Sequence, residues 1–72
     1  MNNRPLDVIE KAKEKKVLVK LKSGEEISGI LKAVDIHLNL WLDDAEIIKE
    51  ESRKKVGTIL IRGDNLLYLI PV

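Results

Sequence analysis

The run Asp35-Ile36-His37-Leu38-Asn39-Leu40-Trp41-Leu42 alternates leucine with polar or aromatic residues. A period of two predicts a strand that turns Leu38, Leu40 and Leu42 toward a core and His37 and Asn39 to the opposite face. Further along, Ile59-Leu60-Ile61 is an apolar strand that stops abruptly at Arg62-Gly63-Asp64-Asn65, a turn-forming sequence. If the two strand ends lie together, an imidazole, a carboxamide and a guanidinium converge on one small polar pocket. Such a set suits the holding of a single unstacked base better than the driving of a reaction.

Outward from that run, Val17, Val19 and Leu21 alternate in an earlier strand at about 17–22, closed by a Ser23-Gly24-Glu25 hairpin turn. A second strand at about 26–36 carries Gly29 in its middle, where a bend is expected. The quoted run leads into a third strand at about 38–49. A fourth at about 56–62 and a fifth at about 66–70 follow, the last halted by Pro71. Upstream, Arg4-Pro5-Leu6-Asp7 opens a helix at about 5–13, with proline suited to the first turn and Asp7 complementing the positive helix end. Leu6, Ile9 and Ala12 form its apolar stripe. The charged runs Lys13-Glu14-Lys15-Lys16 and 50–55 read as solvated turns. One short helix and five strands joined by short turns predict a mainly β protein: a bent antiparallel sheet rolled into a small barrel, one domain over 1–72.

A 72-residue chain buries only about 60% of the surface its unfolded form exposes, and small domains of this kind recruit disulfides, metals or oligomerisation. With no cysteine and one histidine, disulfides are excluded and an internal zinc site is disfavoured, which leaves oligomerisation. The strand Leu66-Leu67-Tyr68-Leu69-Ile70 is apolar on both faces and would be an aggregation hazard at an open edge. Either the barrel closes on itself or this edge pairs with the fourth strand of a neighbour, and a heterologous contact of that type builds rings. Thirteen basic residues against twelve acidic ones leave a net charge of +1. A nucleic-acid binder relying on bulk electrostatics would be far more basic, so local sites and repetition must carry any such role. Met1 to Asp7 lacks an apolar run and no apolar stretch exceeds strand length, so neither a signal peptide nor a membrane span is expected, and a cytoplasmic location is.

The two motifs and the strand order resemble the Sm and Sm-like (LSm) family, in its archaeal branch. The first motif covers 17–48, with Gly29, Asp35, His37, Asn39 and Asp44 at matching places; the second is Ile59-Leu60-Ile61-Arg62-Gly63-Asp64-Asn65. The likeness extends over nearly the whole chain, including the opening Arg4-Pro5-Leu6-Asp7-Val8. It implies a short amino-terminal helix on a strongly bent five-stranded Sm-fold barrel, joined through strands four and five into a homoheptameric ring. It also implies binding of uridine-rich single-stranded RNA around a central pore. The bacterial Hfq branch, which forms hexamers, carries Tyr-Lys-His in the second motif; Arg62-Gly63-Asp64 stands there instead and points to seven subunits. Val34 occupies a place where some archaeal relatives carry an aromatic residue, and Trp41 one where a small aliphatic residue is expected.

His37, Asn39, Arg62, Gly63 and Asp64 are the candidate RNA-binding residues, with Asp35 in support. A base between the flat surfaces of His37 and Arg62 gains roughly 1–3 kcal/mol from stacking. Asn39 supplies a donor and an acceptor side by side, matching the N3–H and O4 of uracil. Because a rotated amide would accept cytosine, the pocket walls must fix which way Asn39 points; Asp64 or Asp35 can do this, or can orient Arg62. Gly63 is expected to take a backbone conformation closed to most residues. Each has a plainer reading: Asp35 and Gly29 as fold elements, Asp64 as a turn former, Arg4 as a solvated terminal arginine, and Trp41 as packing beneath a neighbouring element rather than a base platform. Arg62-Gly63-Asp64 also spells an adhesion tripeptide, a coincidence in a chain with no secretory signal. No cofactor, metal site or catalytic constellation is expected, and one histidine cannot serve both as base and as acid. The alternative to an RNA-binding scaffold or chaperone is a purely structural assembly module whose pore contacts protein.

Overall fold

The computed structural model describes residues 4–72; the amino-terminal reading over residues 1–3 lies outside them. The elements run α1 (Pro5–Glu10), β1 (Lys16–Leu21), β2 (Glu26–Val34), β3 (Leu40–Lys49), β4 (Ser52–Ile61), a 3-10 turn at Gly63–Asn65, and β5 (Leu66–Pro71). All strand pairings are antiparallel, in the order β4-β3-β2-β1-β5. The sheet is strongly bent and open, with β4 and β5 at its two ends.

The core fills the concave side. Val17 and Val19 of β1, Ile27 and Leu31 of β2, Leu40, Leu42 and Ala45 of β3 and Ile61 of β4 are buried there, with Ala12 closing one end. Each fully buried aliphatic side chain in that set contributes roughly 1.5–3 kcal/mol. The bend is built from register shifts: β2 against β3 between Ser28 and Ile30 and again between Leu31 and Ala33, and β3 against β4 on either side of Ala45. Asp44 (φ 51°) and Gly57 (φ 78°) take left-handed backbone at these shifts. Extra residues of this type kink a strand and increase its twist. Gly29 lies at the crossing, where a Cβ would stand 3.0 Å from the Asp43 carbonyl oxygen and 3.2 Å from Ala45 Cα. The bend expected at Gly29 thus rests on close backbone approach.

At three places the elements differ from the sequence reading by more than one residue. The helix stops at Glu10 rather than near residue 13. The amides of Ala12 and Lys13 turn to carbonyls three residues back, and Glu14 (φ 66°) donates its N–H to the Leu31 carbonyl at 2.7 Å, while Leu31 N–H reaches Lys15 at 3.0 Å. Docking on β2 therefore overrides the helix propensity of that lysine-glutamate run. The charged 52–55 segment is strand, not turn: Ser52, Arg53, Lys54 and Lys55 pair with Lys49, Ile48, Ile47 and Glu46, leaving a two-residue connection at Glu50 and Glu51. Arg53 reaches diagonally to Glu46, two positions along β3 from its own partner Ile48, at 3.3 Å. Lastly, β2 ends at Val34 and β3 begins at Leu40, so His37, Leu38 and Asn39 are not in a strand at all. Leu40 and Leu42 enter the core as expected, whereas Leu38 (φ 63°) is only half-buried in the intervening loop.

Candidate functional site

The loop between β2 and β3 is organised by one carboxylate. Asp35 Oδ1 accepts the backbone N–H of His37 and that of Asn39, both at 2.9 Å, and Oδ2 accepts Nδ2 of Asn39 at 3.0 Å. Main-chain bonds from Leu38 N–H to the Asp35 carbonyl (2.9 Å) and from Asp35 N–H to the Asn39 carbonyl (3.2 Å) close the turn. A short side chain that offers the backbone such alternative partners competes successfully with a strand ladder. That competition is why the alternation seen in the sequence does not become strand here. The bonds from Asn39 and, behind them, from His37 hold the Asp35 carboxyl below its ordinary range.

The second segment leaves β4 at Arg62 and folds at once into the Gly63–Asn65 turn. Asn65 N–H returns to the Arg62 carbonyl at 3.0 Å, and the Asn65 carbonyl receives Lys22 N–H at 2.8 Å, tying the turn to the end of β1. Gly63 N–H donates to Asn39 Oδ1 at 2.8 Å, so the two segments are joined directly. Gly63 does not use left-handed backbone, contrary to the conformational role expected for it. Its requirement is space: a Cβ there would land on the His37 carbonyl oxygen and lie 2.9 Å from the Leu38 carbonyl.

His37, Asn39, Arg62, Gly63 and Asp64 consequently line one open cleft. Arg62 is largely free in solvent, with Asp64 3.7 Å from its Nε. Asp35 lies behind Asn39 rather than in the cleft wall. Of the two acids considered for fixing Asn39, Asp35 bonds to it and Asp64 stands beside Arg62 instead. The sequence reading missed the backbone amide of Gly63, whose bond to Asn39 depends on a tertiary contact and leaves no mark in residue type.

Chemically, the Asn39 amide is locked at both ends. Oδ1 is occupied on one lone pair by Gly63 N–H, and Nδ2 spends one hydrogen on Asp35, so one acceptor position and one donor hydrogen remain in a fixed order. Reversing the amide would set its oxygen against the Asp35 carboxylate and its NH2 against Gly63 N–H.

Arg4 and Trp41 carry hydrogen bonds of their own, and the groove at Trp41 shares Asn39 and Arg62 with the cleft. Arg4 is engaged by Asp7, whose carboxylate accepts the Arg4 backbone N–H at 2.9 Å and its guanidinium at 3.0 Å. That pairing raises the already high Arg4 pKa and lowers that of Asp7. Trp41 donates Nε1 to Asp43 Oδ1 at 2.9 Å, an oxygen shared with Thr58 Oγ1 at 2.9 Å. Among the described residues no group of three or more His, Asp or Glu side chains could hold a metal ion, and no helix is long and apolar enough to cross a membrane.

Comparison with known proteins gives a consistent picture. The model of the LSM domain family matches residues 7–71. An snRNP Sm-like protein of Thermococcus kodakarensis is 58% identical over 73 residues, covering all of this chain and 96% of its own. The crystal structure of the P. aerophilum SmAP1 heptamer superimposes with a TM-score of 0.94 at 40% identity, covering 100% of this chain and 97% of the other. The Pyrococcus abyssii Sm protein, solved in complex with a uridine heptamer, does so with a TM-score of 0.92 at 51% identity, covering 97% and 100%.

Proposed function

Because this chain belongs to the LSM domain family, in its archaeal Sm-like branch, we propose that it forms a homoheptameric ring that binds uridine-rich single-stranded RNA, one base per subunit around the pore. The ring joins β4 of each subunit to β5 of the next, which removes both open edges of the sheet. One observation carries the RNA reading: Asn39 is held in a single orientation by Asp35 and Gly63, in a cleft walled by His37 and Arg62. Two relatives support the reading: the P. abyssii Sm protein was solved with a uridine heptamer, and the P. aerophilum SmAP1 protein as a heptamer.

In this reading the base is sandwiched between the imidazole and the guanidinium, a sequence-tolerant attraction of roughly 1–3 kcal/mol. Uracil then donates N3–H to the remaining lone pair of Asn39 Oδ1 and accepts at O4 from the remaining Nδ2 hydrogen. Cytosine presents an acceptor at N3 and a donor at N4. It must either face like against like or turn the amide over and break two hydrogen bonds, a loss of about 1–3 kcal/mol. Gly63 lets the base approach the main chain, and Asp64 steadies Arg62. The protein acts as a scaffold or chaperone in RNA processing, without catalysis or cofactor, in the cytoplasm.

Asn39→Ala tests this against a purely structural ring. Native mass spectrometry should find the same subunit number with and without the substitution, while affinity for oligo-uridine falls about tenfold or more. Unchanged affinity would assign the pore to another partner.

A further inference from the structure

Resting on the ring reading above, we propose that Trp41 and Leu60, on the convex face beside the β4 edge, pack against the partner subunit's Tyr68 and Ile70, adding an apolar seam to the strand pairing. The register places both pairs on that face. Leu40↔Ile61 and Leu42↔Ile59 point into the core, so the pair between them, Trp41↔Leu60, points out. Along β5, Leu69 lies opposite buried Val19, whereas Tyr68 and Ile70 lie opposite Lys20 and Leu18 and face outward. All four are well exposed: Trp41 42%, Leu60 76%, Tyr68 42% and Ile70 47%. They sit at the two ends of the strand order, two beside one open edge and two on the other.

Joining the edges at a strand spacing of about 4.8 Å sets Leu60 directly beside the partner's β5, and Trp41, one strand further in at about 10 Å, reaches the same side chains over Leu60 by the length of its indole. Trp41 is prepared for a dry contact, because its one polar atom is already satisfied by Asp43, which Thr58 holds from β4. An aromatic anchor with a satisfied polar end is typical of residues that dominate interface energies. A second RNA platform is less well served. The groove beside Trp41 contains Asp35, Asp43 adjoins the indole, and Arg62 is the one cation among its lining residues. Phosphate would meet net negative charge there.

Trp41 is the only tryptophan of the chain, so its fluorescence reports this surface alone. Tyr68 and Ile70 lie on β5, three strands from β3 in the hydrogen-bonded order, and a neighbouring subunit is what brings them to Trp41. In the wild-type ring, acrylamide should quench Trp41 weakly, and Ile70→Ser should restore quenching toward that of exposed tryptophan. Trp41→Ala should raise the subunit concentration at half-assembly about thirtyfold, the scale of an interface hot spot. If Ile70→Ser dissociates the ring outright, Ile70→Val is read by the same quenching with the ring mass checked in parallel. A heptamer whose Trp41 ignores both Ile70 variants overturns the seam while leaving the ring. A monomer at every concentration overturns the ring itself, and the seam with it.

Discussion

Exchanging Asp35 for asparagine changes one oxygen to an NH2, yet the consequence should fall on Asn39. The new amide can still accept the two backbone N–H groups with its oxygen, but its NH2 then faces the Asn39 NH2 where a carboxylate stood. Two donors repel, so Asn39 loses the interaction that fixes its orientation. Asp35→Asn is therefore expected to narrow the preference for oligo-uridine over oligo-cytidine more than it weakens uridine binding, and parallel titrations with the two oligomers measure the ratio. An undiminished ratio would mean that Asp35 does not set the amide. Protonating Asp35 should act in the same direction. Its carboxyl is held below the ordinary aspartate value of 3.8 in the folded chain, so its contribution is complete above that value. It is lost as pH falls through the depressed folded value. Uridine preference should thus hold through neutral and mildly acid conditions and fade only under strongly acid ones. Gly63 is the other sensitive point. With the backbone carbonyls of His37 and Leu38 against its missing Cβ, Gly63→Ala meets main chain rather than a flexible side chain and should cost about 1–3 kcal/mol in chemical denaturation.

Along each element, what the sequence revealed depended on whether local pattern or tertiary contact decided the outcome. Val17 and Val19 alternate because β1 has one dry face, and that strand was legible from period alone. The stop of α1 was not, since Lys11 to Lys16 contains good helix formers and the helix ends where Glu14 and Lys15 exchange hydrogen bonds with Leu31. The 52–55 segment carries no alternation because this end of β4 is wet on both faces, so an edge strand resembled a loop. Strand parity sets His37 and Asn39 on one face, but their meeting with Arg62 requires the two strand ends to lie together, which no local pattern dictates. They do converge, but through an aspartate-centred turn that breaks the strand. The bend offers a test at this scale. Gly57 has open space around its absent Cβ but a φ of 78°, whereas Gly29 has ordinary backbone and crowded surroundings. Gly57→Ala should cost about 1–2 kcal/mol through left-handed strain, with no change in core packing. Gly29→Ala must instead separate β2 from β3. It should expose core amides such as that of Leu42 to faster hydrogen exchange, which Gly57→Ala should not do.

For the whole molecule, a net charge of +1 and a shallow, solvent-open cleft leave each subunit a weak binder, so affinity must come from repetition. When one nucleotide of a strand is seated, the next subunit meets its own nucleotide at a high effective concentration set by a few covalent bonds. Each added uridine then contributes intramolecularly until every subunit is occupied. Affinity for oligo-uridine should climb steeply with length up to seven nucleotides and flatten beyond, where additional residues find no vacant cleft. The salt dependence separates this from an electrostatic wrap. Single-stranded binding that neutralised all seven phosphates would give a slope of log K against log salt near −5, about 0.7 per phosphate. Arg62 is the one permanent cation of the cleft, and Asp64 lies 3.7 Å from its Nε. Few phosphates are neutralised per subunit, and the slope for the seven-nucleotide strand should be well under half that value. Fluorescence anisotropy across oligomer lengths and salt concentrations yields both curves. A slope near −5 with no break at seven nucleotides would place the strand along a charged surface rather than in seven equivalent base clefts.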